Sequence, residues 1–493
     1  MIFNSIEYLF FFPIVVIVYY LLPQQIKKVW LLAASYFFYL TCNTGYTILL
    51  MAVTLVTYGS AFGINKLKKL NYVKLTRILL IMTVFINVSL LGIFKYANFF
   101  IANLNKAMQI TGLNKNIDAL DIILPIGISF YIFQSLGYVF DVYRDKIKVE
   151  KNMVTYSLFL AFFPLILAGP IERAGNLIPQ LIKKQNFDIQ KIRKGLLLIL
   201  WGLFLKLVIA DNIAPSVQMI YGAYDGYSGA EILVATVLFS IQIYCDFAGY
   251  SYMAIGSAQV LGFQFIDNFN APYLAVSVSD FWKRWHISLT SWFRDYIYIP
   301  LGGSRKGRLI KYRNIAIIFL VSGFWHGASW SFLAWGALNG GLMILEELTV
   351  KWRQKLRSLL KIQEDAFAYR LFQRISTFVI ISFTWIFFRS NGLKSAFYLL
   401  KRMVLAFQPG KMFGFVFENI GLSTQKMVVL LLAIALLFMV DYMKYKKKSV
   451  CEFVFAQDAW MRYVIYLGLL FFILVFGVYG MVYEQTSFIY FKF

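Results

Sequence analysis

The sequence predicts an all-α, polytopic membrane protein, and three observations carry that prediction. Of its 493 residues, 60% are hydrophobic and only 15% are charged, against roughly 45–50% apolar and about 25% charged in a soluble domain. The apolar residues fall in uncharged runs that reach or exceed the roughly 20 residues a helix needs to cross a bilayer. The 48 Lys+Arg against 24 Asp+Glu give a net charge of +24, and the cations gather between the runs. In a soluble protein that balance would point to nucleic acid. Beside apolar runs it is the excess of cytoplasmic-loop cations that orients membrane helices, so the lipid bilayer is the expected partner and no nucleic acid is needed. The same apolar excess excludes disordered chain.

Basic loops mark the cytoplasmic side, and the runs thread in order. Residues 5–22 carry their cations, Lys27 and Lys28, after the apolar stretch, unlike a signal peptide. They read as a retained first helix with its N-terminus outside. Residues 29–65 are uncharged for 37 positions, too long for one crossing at about 1.5 Å per residue, and the polar CNTG at 42–45 divides them into two. Lys66, Lys68, Lys69, Lys74 and Arg77 follow on the inside, residues 78–101 exit, and residues 119–140 return to Arg144, Lys146, Lys148 and Lys151.

Two runs break the alternation. Residues 152–171 are uncharged over 20 positions, contain Pro164, Gly169 and Pro170, and have basic flanks on both sides. That predicts a re-entrant segment, and irregular backbone at membrane depth requires burial in protein or a wet cavity. Residues 314–345, uncharged over 32 positions, also have basic flanks at both ends. They predict a hairpin with SGFWHGASW near its tip. Residues 195–212 and 231–262 go out and back, 371–388 exit, 426–443 return to Lys444, and 463–481 exit. The sum is about ten crossings plus two re-entrant hairpins, both termini outside. The loop 389–426 carries six basic residues on the outer side, which an amphipathic surface helix would accommodate. No repeat or low-complexity tract interrupts the chain, so residues 1–493 read as one membrane domain. Cys42, Cys245 and Cys451 lie far apart without CxxC spacing and predict neither a disulfide framework nor a zinc ribbon.

Candidate chemistry centres on the chain's 2 histidines. His326 lies inside the uncharged hairpin, where an ionisable group is costly and marks a functional site by default; the alternative is a core histidine bonded to a backbone carbonyl. Gly323, Gly327, Ala328 and Ser329 around it leave room for another molecule beside the ring, with Trp325, Trp330 and Trp335 as walls. His286 belongs to SVSDFWKRWHISLTSWFRDYIYIPLGGSRKG. Ser277 or Ser279 caps a helix there, and Trp282, Trp285, Leu289, Trp292 and Tyr296 recur at spacings of 3, 4, 3 and 4 along one face. This is an amphipathic interfacial helix, either a surface anchor or a chamber mouth where Lys283, Arg284 and Arg294, with Asp295 beside them, receive a phosphate-bearing donor. Asp246 stands mid-helix in an otherwise uncharged stretch, where a histidine or an arginine could pair with it but the sequence names no partner, while Lys206 and Asp211 read as helix-end charges. GxSxG, GxxxxGK[ST] and GxGxxG motifs are absent, which excludes the parts of a lipase-like hydrolase or a nucleotide-driven pump. Two histidines without HExxH or a companion cluster predict no metal site. A secondary transporter remains an alternative, since broken helices and buried charges also mark transport sites.

FWKRWHISLTSWFRDYIYIPLGGSRKG followed by FLVSGFWHGASWSFLAWGALNG resembles the membrane-bound O-acyltransferase (MBOAT) family, in its bacterial alginate O-acetyltransferase branch. The resemblance extends to LPIGISFYIFQSLGYVFDVYR, FFPLILAGPIER, YCDFAGYSYMAIG, FTWIFFRS and the closing FIYFKF. It implies an MBOAT fold, helices around a central funnel or tunnel, in the bacterial cytoplasmic membrane. It implies His326 as the catalytic histidine and His286 as its support, with Trp282, Lys283, Arg284, Trp285, Arg294, Asp295, Asp246 and Trp325 toward the donor. The implied donor is acetyl-CoA or an acyl carrier, with no permanently bound cofactor. The implied acceptor is an exported polysaccharide, reached through an extracytoplasmic acetyltransferase partner. Tyr490 in FIYFKF is a candidate for the exit or a partner contact, with an interfacial aromatic belt as the alternative. Where the family usually carries Asp, this chain has Tyr252, so any charge-balancing role is either absent here or carried by Asp246. Neutral His326 would act as general base on an acceptor hydroxyl or form an acyl-histidine, and the residues leave both open. D-alanyl transfer to teichoic acid is the alternative within the family.

Overall fold

Helices make up every regular element among the described residues, which in this computed structural model are 1–42, 44–113, 115–412, 419–479 and 488–489. Seven of these helices are long and apolar enough to cross a membrane: Thr44–Lys69, Val73–Ile110, Ile189–Gly222, Gly229–Val260, Phe367–Arg389, Thr424–Tyr445 and Ala459–Phe476. The other three expected crossings correspond to Ile6–Leu21, Gln24–Cys42 and Ile128–Tyr143. At 16 residues, the first and last of these reach about 24 Å at 1.5 Å per residue, short of a hydrocarbon core of roughly 30 Å. The chain divides into two compact units, Met1–Ile199 with Ser251–Ile266, and Leu200–Tyr250 with Asp267–Phe493.

In the first unit, Ser5 caps the opening helix by accepting from the Tyr8 amide at 3.3 Å. The CNTG expectation holds: one helix ends at Cys42 and the next starts at Thr44. The expected helix at 119–140 instead begins at Ile128. Gly127 precedes it at φ 77°, and a Cβ there would stand 2.1 Å from the Ile166 carbonyl oxygen, so the turn requires glycine. Residues 152–171 form Met153–Ala161 and Phe163–Ile166, with side chains buried throughout 155–171. At the break between them, the Phe163 amide donates to Ser35 Oγ at 3.1 Å. This is irregular backbone satisfied inside protein, as an apolar setting demands. Glu172, which follows, accepts from the Ile266 amide at 2.6 Å and from Asn176 Nδ2 at 2.7 Å, tying the end of this segment to the chain that leaves Gly229–Val260.

In the second unit, residues 314–345 do form a hairpin: Arg308–His326 and Trp330–Leu348 pack on each other and SGFWHGASW makes the turn. The amphipathic helix expected between 389 and 426 is Leu393–Leu405, which buries Ala396, Leu399 and Met403. Its far end is pinned where Arg402 Nε donates to the Tyr227 carbonyl at 2.9 Å and the Gly229 amide to that of Ala406 at 2.9 Å.

Candidate active site

The hairpin places His326. It is the last residue of its helix, Gly327 continues extended, and Ser329 caps the returning helix by accepting from the Ser331 amide. The small residues that promised room for a ligand serve a different end. A Cβ on Gly323 would lie 2.4 Å from the Phe332 carbonyl oxygen, one on Gly336 2.2 Å from that of Phe319, and one on Gly327 2.2 Å from the Phe332 ring. The two arms thus meet backbone to backbone, which only glycine permits, and Phe332 fills the space beside the turn.

That close approach builds an aromatic box around the imidazole. His326 is 5% exposed. Trp325 lies 4.6 Å from its ring, Trp335 5.0 Å away and perpendicular at 89°, and Phe388 5.2 Å away. Trp335 stacks on Trp385 at 5.7 Å and meets Trp282 edge-on at 5.6 Å. Trp330, expected as a wall, is 57% exposed and faces away. Trp385 and Phe388 escaped the sequence reading as site residues; their signal was the i, i+3 aromatic pair inside FTWIFFRS.

His286 reaches the same box by a local break. The predicted helix across 277–296 is split into Val278–Arg284 and Ile287–Phe293, and His286 between them sits at φ 45°, ψ 53°. The predicted apolar face is nonetheless buried at all five positions, Trp282, Trp285, Leu289, Trp292 and Tyr296. The break comes from tertiary contacts. The Ile287 amide donates to the Asn268 carbonyl at 2.9 Å, the Ser288 hydroxyl to Asn268 Oδ1 at 2.6 Å, and the Asn270 amide to the Arg284 carbonyl at 3.0 Å. A distant segment therefore takes up the backbone groups that a continuous helix would have used. His286 is 2% exposed. Phe247 meets it edge-on at 4.6 Å and Trp325 stands 6.2 Å away. Burial pushes its imidazole down to about 3, so it is neutral at physiological pH. Trp325 contacts both histidines, bringing together motifs 40 residues apart.

The partner of Asp246, which the sequence could not name, is a lysine. Lys206 Nζ donates to Asp246 Oδ1 at 2.7 Å and lies 2.8 Å from Asp211 Oδ1, all three side chains buried. Lys206 and Asp211 are therefore not helix-end charges. Lys206 lies in a π-helical stretch, Phe204–Ala210, whose wider turn carries it and Asp211 within one ion cluster. The second Asp246 oxygen accepts from the Ile489 amide at 2.8 Å, and Phe488 packs on Phe247 and Tyr250. The ion cluster thus anchors the described part of FIYFKF behind the ring that supports His286. Tyr490 lies outside the described residues.

The expected donor cations are partly committed. Arg284 pairs with Asp280 at 2.9 Å and stacks on Tyr445, which Arg374 also faces. Arg294 pairs with Asp295 at 2.8 Å, and Lys283 is exposed. Trp285 packs between Phe281 and Trp385. Tyr244, beside Trp285, donates to both oxygens of Asp441 at 2.9 Å.

Seven helices long and apolar enough to cross a membrane, together with two buried histidines in an aromatic box, define a multi-pass membrane protein with a secluded imidazole centre. The membrane-bound O-acyltransferase family model matches residues 144–390, which contain both histidines. The chain is 34% identical over 409 residues to a probable alginate O-acetylase of Azotobacter vinelandii, covering 82% of this chain and 78% of that protein. It is 34% identical over 403 residues to a peptidoglycan O-acetyltransferase of Helicobacter pylori, covering 76% and 73%. A teichoic acid D-alanyltransferase of Bacillus subtilis is 28% identical over 245 residues, 48% of this chain and 62% of that protein. The chain belongs to the membrane-bound O-acyltransferase family and is an O-acyltransferase.

Proposed function

We propose that this enzyme takes an acetyl group from a cytoplasmic donor, acetyl-CoA or an acyl carrier, and passes it across the bacterial cytoplasmic membrane for O-acetylation of a cell-surface or exported polysaccharide. The whole chain, residues 1–493, acts as one membrane domain. The observation that carries the reading is His326 at the hairpin tip, enclosed by aromatic rings that exclude water while leaving the imidazole as the basic group of the box. Water exclusion matters because a thioester opposite an activated water hydrolyses. His326 takes the proton of the acceptor hydroxyl as that oxygen attacks the acyl carbon, a contribution of typically 10²–10⁴-fold. His286 supports it through Trp325. Trp282 and Trp285 line the donor side, and Arg284 and Lys283 attract its phosphates. Arg294 and Asp295 neutralise each other at the same mouth. An extracytoplasmic acetyltransferase partner delivers the group to the polymer.

Acetyl is favoured over D-alanyl because the O-acetyl relatives above align over 76–82% of this chain and the D-alanyl relative over 48%. In cells, His326→Ala should abolish polymer O-acetylation while membrane insertion and expression persist. Acetylation retained by that variant overturns the assignment. Incorporation of labelled D-alanine, dependent on His326, would replace acetyl by the second reading. Transport that survives loss of both histidines would indicate a carrier without covalent chemistry.

A further inference from the structure

Trp282 and Trp335 are 8% and 1% exposed, and the indole Nε1 of each is buried with no hydrogen-bond partner among the described residues. Buried indole N–H groups ordinarily find an acceptor, and a buried donor left over calls for an explanation. Trp385 differs, because its indole faces the Tyr273 hydroxyl. The Trp282 and Trp335 donors sit together, ring centroids 5.6 Å apart, on separate helices, Val278–Arg284 and Trp330–Leu348. Trp335 is also the ring perpendicular to His326 at 5.0 Å. The fold has therefore set one neutral donor beside the imidazole and a second against the first.

Their neutrality selects what they bind. A phosphate calls for cations, and the rings that stand around His326, those of Trp325, Trp335 and Phe388, carry none. A carbonyl oxygen is uncharged until it is attacked. Fixed N–H dipoles in a water-excluded site act most strongly on such a group, since the charge appears only in the transition state.

We infer that the Trp335 indole N–H, with that of Trp282 beside it, hydrogen-bonds the acyl carbonyl oxygen of the donor thioester and stabilises the oxyanion of the tetrahedral intermediate. This rests on the reading of His326 as the acyl-transfer centre. As the acceptor oxygen bonds to the acyl carbon, its proton passes to His326 and the carbonyl π pair moves onto the oxygen held by the indoles. Collapse re-forms C=O, breaks the C–S bond and returns the proton from His326 to the departing thiolate. The products are an ester and a free thiol.

The test uses the full chain in membrane vesicles with [14C]acetyl-CoA, measuring thioester cleavage, and thermal unfolding in detergent. Trp335→Phe keeps a ring without the N–H, and replacement of Trp335 by 3-benzothienylalanine keeps the indole shape with sulfur in place of N–H. Both should lower kcat by about 10²–10³-fold and leave KM little changed, and the benzothienyl variant, which keeps the ring volume, should leave the unfolding temperature unchanged; Trp282→Phe should lower kcat to a smaller degree. Unaltered kcat in the benzothienyl variant overturns the inference. So does a loss of kcat in step with a lowered unfolding temperature in both Trp335 variants, the signature of lost packing or of an N–H···π contact. If the unsubstituted chain shows no His326-dependent cleavage, the acetyl-CoA reading itself fails, a result distinct from failure of the tryptophan variants.

Discussion

Two buried polar clusters in the second unit are built on opposite plans. In the Lys206–Asp211–Asp246 cluster the lysine meets both carboxylates, and the free oxygen of Asp246 takes a backbone amide. Around His326 stand the rings of Trp325, Trp335 and Phe388, and Phe247 meets His286 edge-on. A buried ion cluster with its charges satisfied is a device for holding chain segments in register. An imidazole walled by aromatic faces is a basic group held away from water, a setting for proton transfer rather than for holding segments in register. The first should therefore report on stability when broken, and the second on chemistry.

The largest effects separate those roles. His326→Ala should reduce acyl transfer by at least about 10²-fold with little change in unfolding temperature, read by polymer acetylation and by a thermal shift in detergent. Asp246→Ala should destabilise by about 1–3 kcal/mol, since Asp211 still pairs the lysine while the buried Ile489 amide and one Lys206 N–H lose their acceptor. Replacing Lys206, Asp211 and Asp246 together by Met, Leu and Leu should recover most of that loss, because an apolar core of similar volume is often as stable as a buried ion cluster. If the triple variant is stable yet slow in transfer, the cluster acts on the chemistry through Phe247 and the tail rather than on folding alone. If Asp246→Ala and His326→Ala have the same profile, the contrast between the clusters is wrong.

An intermediate effect belongs to the hairpin that carries His326. A Cβ at Gly336 would meet the Phe319 carbonyl at 2.2 Å, so Gly336→Ala forces the arms apart. Overpacking of this kind costs about 1–3 kcal/mol. Because Trp335 is the next residue, it should also lower transfer by displacing that ring from His326. Chemical denaturation and acetylation measured on the same preparation would check whether both losses appear together.

The hairpin was legible because residues 314–345 are too long for one crossing and too similar in charge at their ends to make two. The buried face of Trp282, Trp285, Leu289, Trp292 and Tyr296 was legible from its 3.6-residue period. Three other features were not. The glycines flanking His326 look the same in sequence whether they admit a ligand or another helix, and Phe332 decides for the helix. Lys206 and Asp246 are 40 residues apart on separate helices, so no local pattern joins them. The helix break at His286 goes with hydrogen bonds to Asn268 and Asn270 on a separate segment, while the apolar period runs through the break undisturbed.

That break supplies the smallest and most specific comparison. His286 holds a left-handed backbone, φ 45° and ψ 53°, which costs a residue with a Cβ roughly 1–2 kcal/mol and costs glycine little. In an ordinary helix Gly is less stable than Ala by about 1 kcal/mol. Here the order should reverse: His286→Gly should be more stable than His286→Ala by about 1 kcal/mol, although both lose the ring that packs on Phe247 and both should be slow in transfer. Because the imidazole is absent from both, the difference reads the backbone alone, free of cavity or charge effects. Equal stabilities would mean that the segment relaxes once the ring is gone, so that packing of His286 against Phe247 and Trp325 creates the turn. A more stable glycine variant would mean that Asn268 and Asn270 impose the turn, and that a histidine is retained there at a cost in stability for what its ring does in the box.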